Sequence, residues 1–353
     1  MRLAALWVCV MSQQLLAVRG EDQVTPELGL KRVVSERSCE CVPVYRCQFK
    51  TSTDGSGSID IRVDRQGCPG LLDVCCPFTI TRPPPATLSC GVQFTPRQVE
   101  TRITGDDYAH YGQYPWMAAL LAPGRKYVCG GSLIHRQVVL TAAHCVHQVR
   151  LQELTVRLGE WDSQHKTEPY PVQNVGAVEI VIHEQFKLNS LFNDIALVFL
   201  ASPAELGGNI RTICLPEANE IIDSRKCLAS GWGKDAFGRE GKHSAILKSV
   251  QLSLVPREEC LQALRETRLG EFFRLHISFL CAGGEKGRDT CKGDGGSPLV
   301  CPTQQNSGVY LQAGIVSWGI DCGQEAPAAY TNVALFRSWI DLQLLRRGLL
   351  IDH

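Results

Sequence analysis

A histidine in "LTAAHC" (His144), an aspartate in "NDIALV" (Asp194) and the stretch "CKGDGGSPLVC" (residues 291–301) have the types and order for acyl-transfer chemistry in this 353-residue sequence. A serine hydrolase needs a hydroxyl to attack the carbonyl, an imidazole to take its proton, and a carboxylate to orient that imidazole and stabilise its charged form. His144 and Asp194 supply the last two. The glycine-rich stretch holds one hydroxyl, on Ser297, and two residues before it stands Gly295, whose side chain is a hydrogen. A base and its orienter are present, and the attacking atom is in question.

The segments that must position these residues read as strands. From Ile103 onward, short apolar or alternating runs such as "YPWMAALL", "GGSLIHRQVVLTAA", "LTVRLGE", "VEIVI", "IALVFL" and "LQAGIVSWG" are separated by turn residues. That is the pattern of an all-β sandwich or barrel. Only "LFRSWIDLQLLRRGLL" has its apolar residues at helical spacing, which predicts a terminal helix docked on the barrel.

Arg2, the apolar runs Leu3 to Met11 and Leu15 to Val18, and the small Gly20 before Glu21 and Asp22 have the layout of a secretory signal peptide over residues 1–20. No later segment approaches the ~18 uninterrupted apolar residues of a membrane span. Lys and Arg number 36, as do Asp and Glu, and this balance argues against a nucleic-acid binder. Of 17 cysteines Cys9 falls in the signal segment, leaving an even set suited to disulfides in an oxidising compartment. No pair of C-x-x-C units suggests zinc.

Six of these cysteines, Cys39, Cys41, Cys47, Cys68, Cys75 and Cys76, crowd into a module over residues 38–77. So short a segment has little core, and covalent staples replace it. Residues 78–102 form a linker stiffened by the prolines at 83–85. Cys90 lies outside the six and needs a partner elsewhere.

"TAAHC", "NDIALV", "SGWG", "GDGGSPLVC" and "GIVSWG" occur in that order, and together they resemble the chymotrypsin/trypsin-like serine protease domain over residues 103–353. The resemblance implies an all-β, two-barrel fold with a C-terminal helix, His144 as base, Asp194 as orienter and Gly295 at the nucleophile's position. Ser297 falls where the family has a second glycine. Two residues of chain are several ångströms, whereas a base must lie within about 3 Å of the hydroxyl it deprotonates, so Ser297 is a poor substitute.

The same resemblance places the oxyanion-hole N–H groups on Gly293 and Gly295. It also places a pocket-base carboxylate on Asp289, with walls at Gly319 and Ala328. Two readings of Asp289 stay open, weak binding of a cationic side chain or a remnant in a collapsed pocket. Arg102–Ile103 matches the activation site, and the freed Ile103 amine would pair with Asp294. Ser297, Ala328 and Asp106 all depart from the family's glycines, which fits a naturally inactive homologue better than one engineered substitution.

Disulfides implied by the family are Cys90–Cys214, Cys129–Cys145, Cys227–Cys301, Cys260–Cys281 and Cys291–Cys322. No cofactor is implied. In some relatives a loop at "LGEWDSQHKTE" binds calcium; Glu160, Asp162 and Glu168 gather there, as a calcium site or as solvated carboxylates. The 20 residues between Cys260 and Cys281 form a longer loop than many relatives have, read as a tolerated insertion or a partner surface.

The spacing C-x-C-x5-C … C-x6-CC ahead of such a body resembles the clip domain of arthropod secreted proteases, with implied pairs Cys39–Cys75, Cys41–Cys68 and Cys47–Cys76. Clip plus a glycine-for-serine body resembles the clip-domain serine protease homologues. That resemblance implies a secreted, haemolymph protein of innate immunity. It would be a non-catalytic cofactor or regulator whose partners are cascade serine proteases and prophenoloxidase, in the cascade that drives melanisation. Alternatives are a pattern-recognition or adhesion protein on microbial surfaces, and a residually active peptidase using Ser297 or a substrate-borne group.

Overall fold

The computed structural model describes residues 39–43, 73–77, 89–94, 108–165, 168–224, 226–233, 243–285, 294–303, 308–320 and 325–349. The chain divides into two units, Met1–Pro83 and Pro84–His353. In the first, strand β1 (Cys39–Pro43) pairs antiparallel with β2 (Asp73–Pro77), with Cys41 opposite Cys75 in the register.

The second unit is two β-barrels. Strands β3 (Met117–Ala122), β4 (Lys126–His135), β5 (Val138–Thr141), β6 (Thr155–Leu158), β7 (Gln173–Ile182) and β8 (Ala196–Leu200) close in the order β3-β4-β5-β8-β7-β6. In β6, "TVRL", Val156 and Leu158 are fully buried while Thr155 and Arg157 are not, the two-residue period of a strand with one face on a core. "ALVFL" of β8 is buried throughout, so it reads as a continuous apolar run rather than an alternating one.

The second barrel uses β9 (Cys227–Gly231), β10 (Lys248–Leu252), β11 (Leu254–Val255), β12 (Phe279–Ala282), β13 (Pro298–Pro302), β14 (Tyr310–Trp318) and β15 (Ala328–Asn332) in the order β10-β9-β13-β14-β15-β12-β11. The outer strands β10 and β11 are separated in the chain only by Ser253, so the sheet curls until its edges nearly meet. Curling removes the exposed edges a flat sheet would leave.

Among the described residues, three α-helices complete this unit: the single turn α1 (Ala143–Val146), α2 (Arg257–Arg265) and α3 (Val333–Leu345). In α3, Val333, Phe336, Arg337, Ile340 and Leu344 are buried at three- and four-residue spacing. Just past its end Arg347 donates to Glu179 on β7 at 2.7 Å, fastening the C-terminal helix to the first barrel.

Helix α2 is not legible in the periodicity. "REECLQALR" has a polar surface and buries only Cys260 and Leu264, one turn apart, so its apolar stripe is too narrow to read. It occupies part of the span expected to be a surface loop, and Leu264, Leu275 and Phe279 there pack into a buried cluster with Cys260 and Cys281. No helix among the described residues is long and apolar enough to cross a membrane.

Candidate functional site

Strand β5 delivers α1 at its end, and the disulfide from Cys145 to Cys129 on β4 holds that turn in place. His144 therefore projects from a tethered turn. Asp194 lies just before β8, after Asn193, whose φ of 55° bends the chain there.

Asp194 is wholly buried, and its carboxylate is surrounded by hydrogen-bond partners. Its Oδ1 accepts from the His144 backbone N–H at 2.8 Å, and its Oδ2 lies 2.7 Å from His144 Nδ1 and 2.6 Å from the donating Ser317 Oγ. Burying a carboxylate without such donors is costly, and this set offsets the loss of water. An Nδ1–H directed at the carboxylate leaves the Nε2 lone pair facing the cleft, the tautomer a general base requires. The Thr331 hydroxyl donates to the Asp194 carbonyl at 2.9 Å and fixes the backbone on the other side. Sequence reasoning misses Ser317, although "GIVSWG" contains it; a serine's role shows only when its partner is known.

A β-carbon built on Gly295 would stand 2.9 Å from His144 Nε2, 3.4 Å from Cε1 and 3.6 Å from Cys129 Sγ. Residue 295 thus faces the base directly and presents no hydroxyl. Real β-carbons do not approach a ring nitrogen this closely, so the imidazole leans into the space a side chain would fill. Gly296 has φ +79° and a β-carbon there would strike the Thr141 hydroxyl, so this position needs glycine.

Ser297 is fully buried, and its Oγ packs against Gly130 and Gly231 on the strands behind the cleft. The Asp294 carboxylate accepts from the Gly233 N–H at 2.8 Å and lies against Gly231 and Gly233, where any β-carbon would collide with it. Burial, and then the Asp294 charge, push the nearby Tyr127 phenol far above its ordinary range.

Gly319 follows β14 and is exposed, whereas Ala328 opens β15 and is 5% exposed. A β-carbon on Gly319 would meet the Ala328 methyl at 3.6 Å, so the two face each other across a narrow gap. Asp289, Gly293, Arg102, Ile103, Cys291 and Cys322 lie outside the described residues, as do the side chains of Cys39, Cys41, Cys47, Cys68, Cys75 and Cys76. Disulfides join Cys90 to Cys214, Cys129 to Cys145, Cys227 to Cys301 and Cys260 to Cys281.

In the "LGEWDSQHKTE" loop, Glu160 Oε2 accepts from Arg157 Nη1 at 2.7 Å. Asp162 Oδ2 lies 2.8 Å from His165 Nδ1, and Glu168 Oε1 accepts from the Asp162 N–H at 3.0 Å. Burial, followed by the neighbouring Glu168 carboxyl, pushes Glu160 up to about 7 against the pull of Arg157.

The trypsin family's sequence profile ("Trypsin") matches residues 103–340, and a "Serine protease Clip domain PPAF-2" profile matches residues 33–77. The chain is a clip-domain member of the trypsin family. It is 48% identical to "Phenoloxidase-activating factor 2" of Galleria mellonella over 76% of this chain and 95% of that one. It is 38% identical to "Inactive CLIP domain-containing serine protease A8" of Anopheles gambiae, over 85% of this chain and 87% of the relative. A third relative, "Inactive CLIP domain-containing serine protease A28" of the same mosquito, is 36% identical over 98% and 97% of the two chains. This trypsin-family body holds its base and orienter in working geometry around a glycine.

Proposed function

We propose that this chain is a secreted, non-catalytic clip-domain serine protease homologue that regulates, through protein binding, the cascade that activates prophenoloxidase. The observation that carries the reading is Gly295, placed against His144 Nε2 with no atom to deprotonate. Ser297 is no substitute, because a fully buried hydroxyl on the far side of the loop is reached by neither base nor substrate. In a serine hydrolase the nucleophile alone is worth about 10⁶ in rate, which leaves a shaped cleft that binds without turning over.

The names of the relatives, a phenoloxidase-activating factor and two inactive clip-domain proteases, support the cascade and the loss of chemistry. In this reading the protein acts in haemolymph with cascade serine proteases and prophenoloxidase as partners. A cut between Arg102 and Ile103 frees an amine for Asp294, whose carboxylate lies among the glycines of "SGWG". An ammonium partner there adds to the Gly233 N–H in offsetting the water that this half-buried carboxylate gives up.

The test combines purified prophenoloxidase, its activating protease and this protein, reading phenoloxidase activity with a catechol. The expected result is a several-fold change when the cut protein is added, and no change with Arg102→Ala. Unaltered phenoloxidase activity with the cut protein overturns the reading.

A further inference from the structure

Residues 90–94 are held to the first and second barrels by more than one covalent bond. Cys90 is joined to Cys214. The Gly91 N–H donates to the Thr212 carbonyl at 2.8 Å, and the Gly91 carbonyl accepts from the Tyr310 N–H at 2.9 Å. Val92 forms an antiparallel bridge with Val309, and the Phe94 N–H donates to the Gly112 carbonyl at 3.1 Å. Gly91 has φ +72°, and a β-carbon there would collide with the Tyr310 carbonyl oxygen, so glycine is what lets these two backbones close on each other.

The Phe94 ring occupies a seat shaped for it. β-Carbons on Gly112 and Gly208 would each stand 2.8 Å from ring carbons, so two glycines leave the room that the ring takes. The Arg211 guanidinium lies 5.4 Å from the ring centroid, and the Tyr170 ring meets it edge-on at 5.9 Å. A cation over an aromatic face and an edge-to-face ring pair are both attractive contacts. Arg211 is itself fixed, because its Nε–H donates to the Gly207 carbonyl at 3.2 Å.

We propose that this seat is a docking site for the chain's own cut end: with Phe94 as its anchor, it retains the fragment ending at Arg102 after cleavage, independently of the Cys90–Cys214 bond. The proposal rests on the reading that the chain is cut between Arg102 and Ile103. Phe94 precedes that bond and Tyr108, which bridges Lys248, follows it, so the seat and the bridge hold opposite sides of the cut. Cutting frees the Ile103 amine and leaves every contact of residues 90–94 in place. A disulfide alone would let the fragment pivot about two sulfurs. The Phe94 seat and the Gly91 hydrogen bonds fix it at further points, so partners meet the cut end of the fragment in one set place on the body.

The experiment cuts the full-length protein by limited digestion with a trypsin-like protease, and fragment masses identify the bond that is broken. A different bond counts against the cleavage reading, whereas retention of the fragment reports on the seat alone. Amide hydrogen exchange is then compared before and after the cut with all disulfides intact. We expect the Gly91, Phe94 and Tyr310 amides to keep their protection in the native protein, and Phe94→Ala to exchange there at least about 10-fold faster. Loss of that protection on cutting the native protein overturns the proposal, and this comparison needs no variant. A second form carrying Cys90→Ser and Cys214→Ser is cut and passed through gel filtration. The fragment should elute with the body, and adding Phe94→Ala should separate them. Separation from the folded double-serine form with Phe94 present overturns independence from the disulfide, and equal retention without the ring overturns the role of Phe94.

Discussion

His144 Nδ1 lies 2.7 Å from Asp194 Oδ2, the geometry of a working general base, although residue 295 offers that base nothing to deprotonate. The pair has structural reasons to persist. Asp194 ties α1, β14 and the approach to β8 together through His144 and Ser317, so its carboxylate is part of the joint between the barrels.

Asp194→Ala should therefore destabilise the fold without reference to catalysis. It leaves the His144 N–H and the Ser317 hydroxyl without their acceptor in a site of zero exposure. Each unsatisfied buried group costs about 1–3 kcal/mol, giving an expected loss of about 3 kcal/mol. Urea unfolding measures it, and a loss under about 1 kcal/mol would show that the pair is not structural.

Ala328→Gly should widen the gap facing Gly319. The Ala328 methyl would stand 3.6 Å from a β-carbon on Gly319, and in the proposed reading, where these two residues wall the pocket, a flat cationic probe such as benzamidine would meet that methyl on entry. Removing one methyl from such a slot is worth about 1 kcal/mol. Calorimetry should give tighter benzamidine binding to the variant; equal or weaker binding means that this wall does not limit entry.

Glu160 predicts a pH dependence with a definite sign. Its carboxyl is raised from 4.5 to about 7 in the folded protein, so the fold holds this proton more tightly than the unfolded chain does. The contribution is fully present below about pH 4.5 and is lost as pH rises through about 7. Glu160→Gln, which keeps a neutral side chain at every pH, should flatten the fall in thermal midpoint between about pH 5 and about pH 8. Parallel midpoint curves for the two proteins would contradict the assignment.

The barrels and the dyad are legible in the sequence because their signals are local: "LTAAHC" and "NDIALV" are short, and strands such as β6 and β8 carry their own alternation or apolar run. What escapes depends on contacts far apart in the chain. Ser317 acts on Asp194 from 123 residues away, which no spacing reveals. Helix α2 buries two side chains and takes its place from the Cys260–Cys281 bridge rather than from an amphipathic pattern. Gly295 is visible as an absence, but that it lies against Cys129 as well as His144 needs β4 and the residue-295 turn in register. The hydrogen bond from the Gly130 N–H to the Gly295 carbonyl, 2.9 Å long, fixes that register.

The most direct measurement is hydrolysis of a chromogenic arginine substrate by the native protein cut after Arg102, beside Gly295→Ser prepared in the same way. Silence is expected from the native protein. Any turnover by the serine variant should be modest, because the new side chain must first displace an imidazole ring that now stands 2.9 Å from where its β-carbon would lie. Turnover by the native protein that is abolished by Ser297→Ala would contradict the non-catalytic reading at its centre.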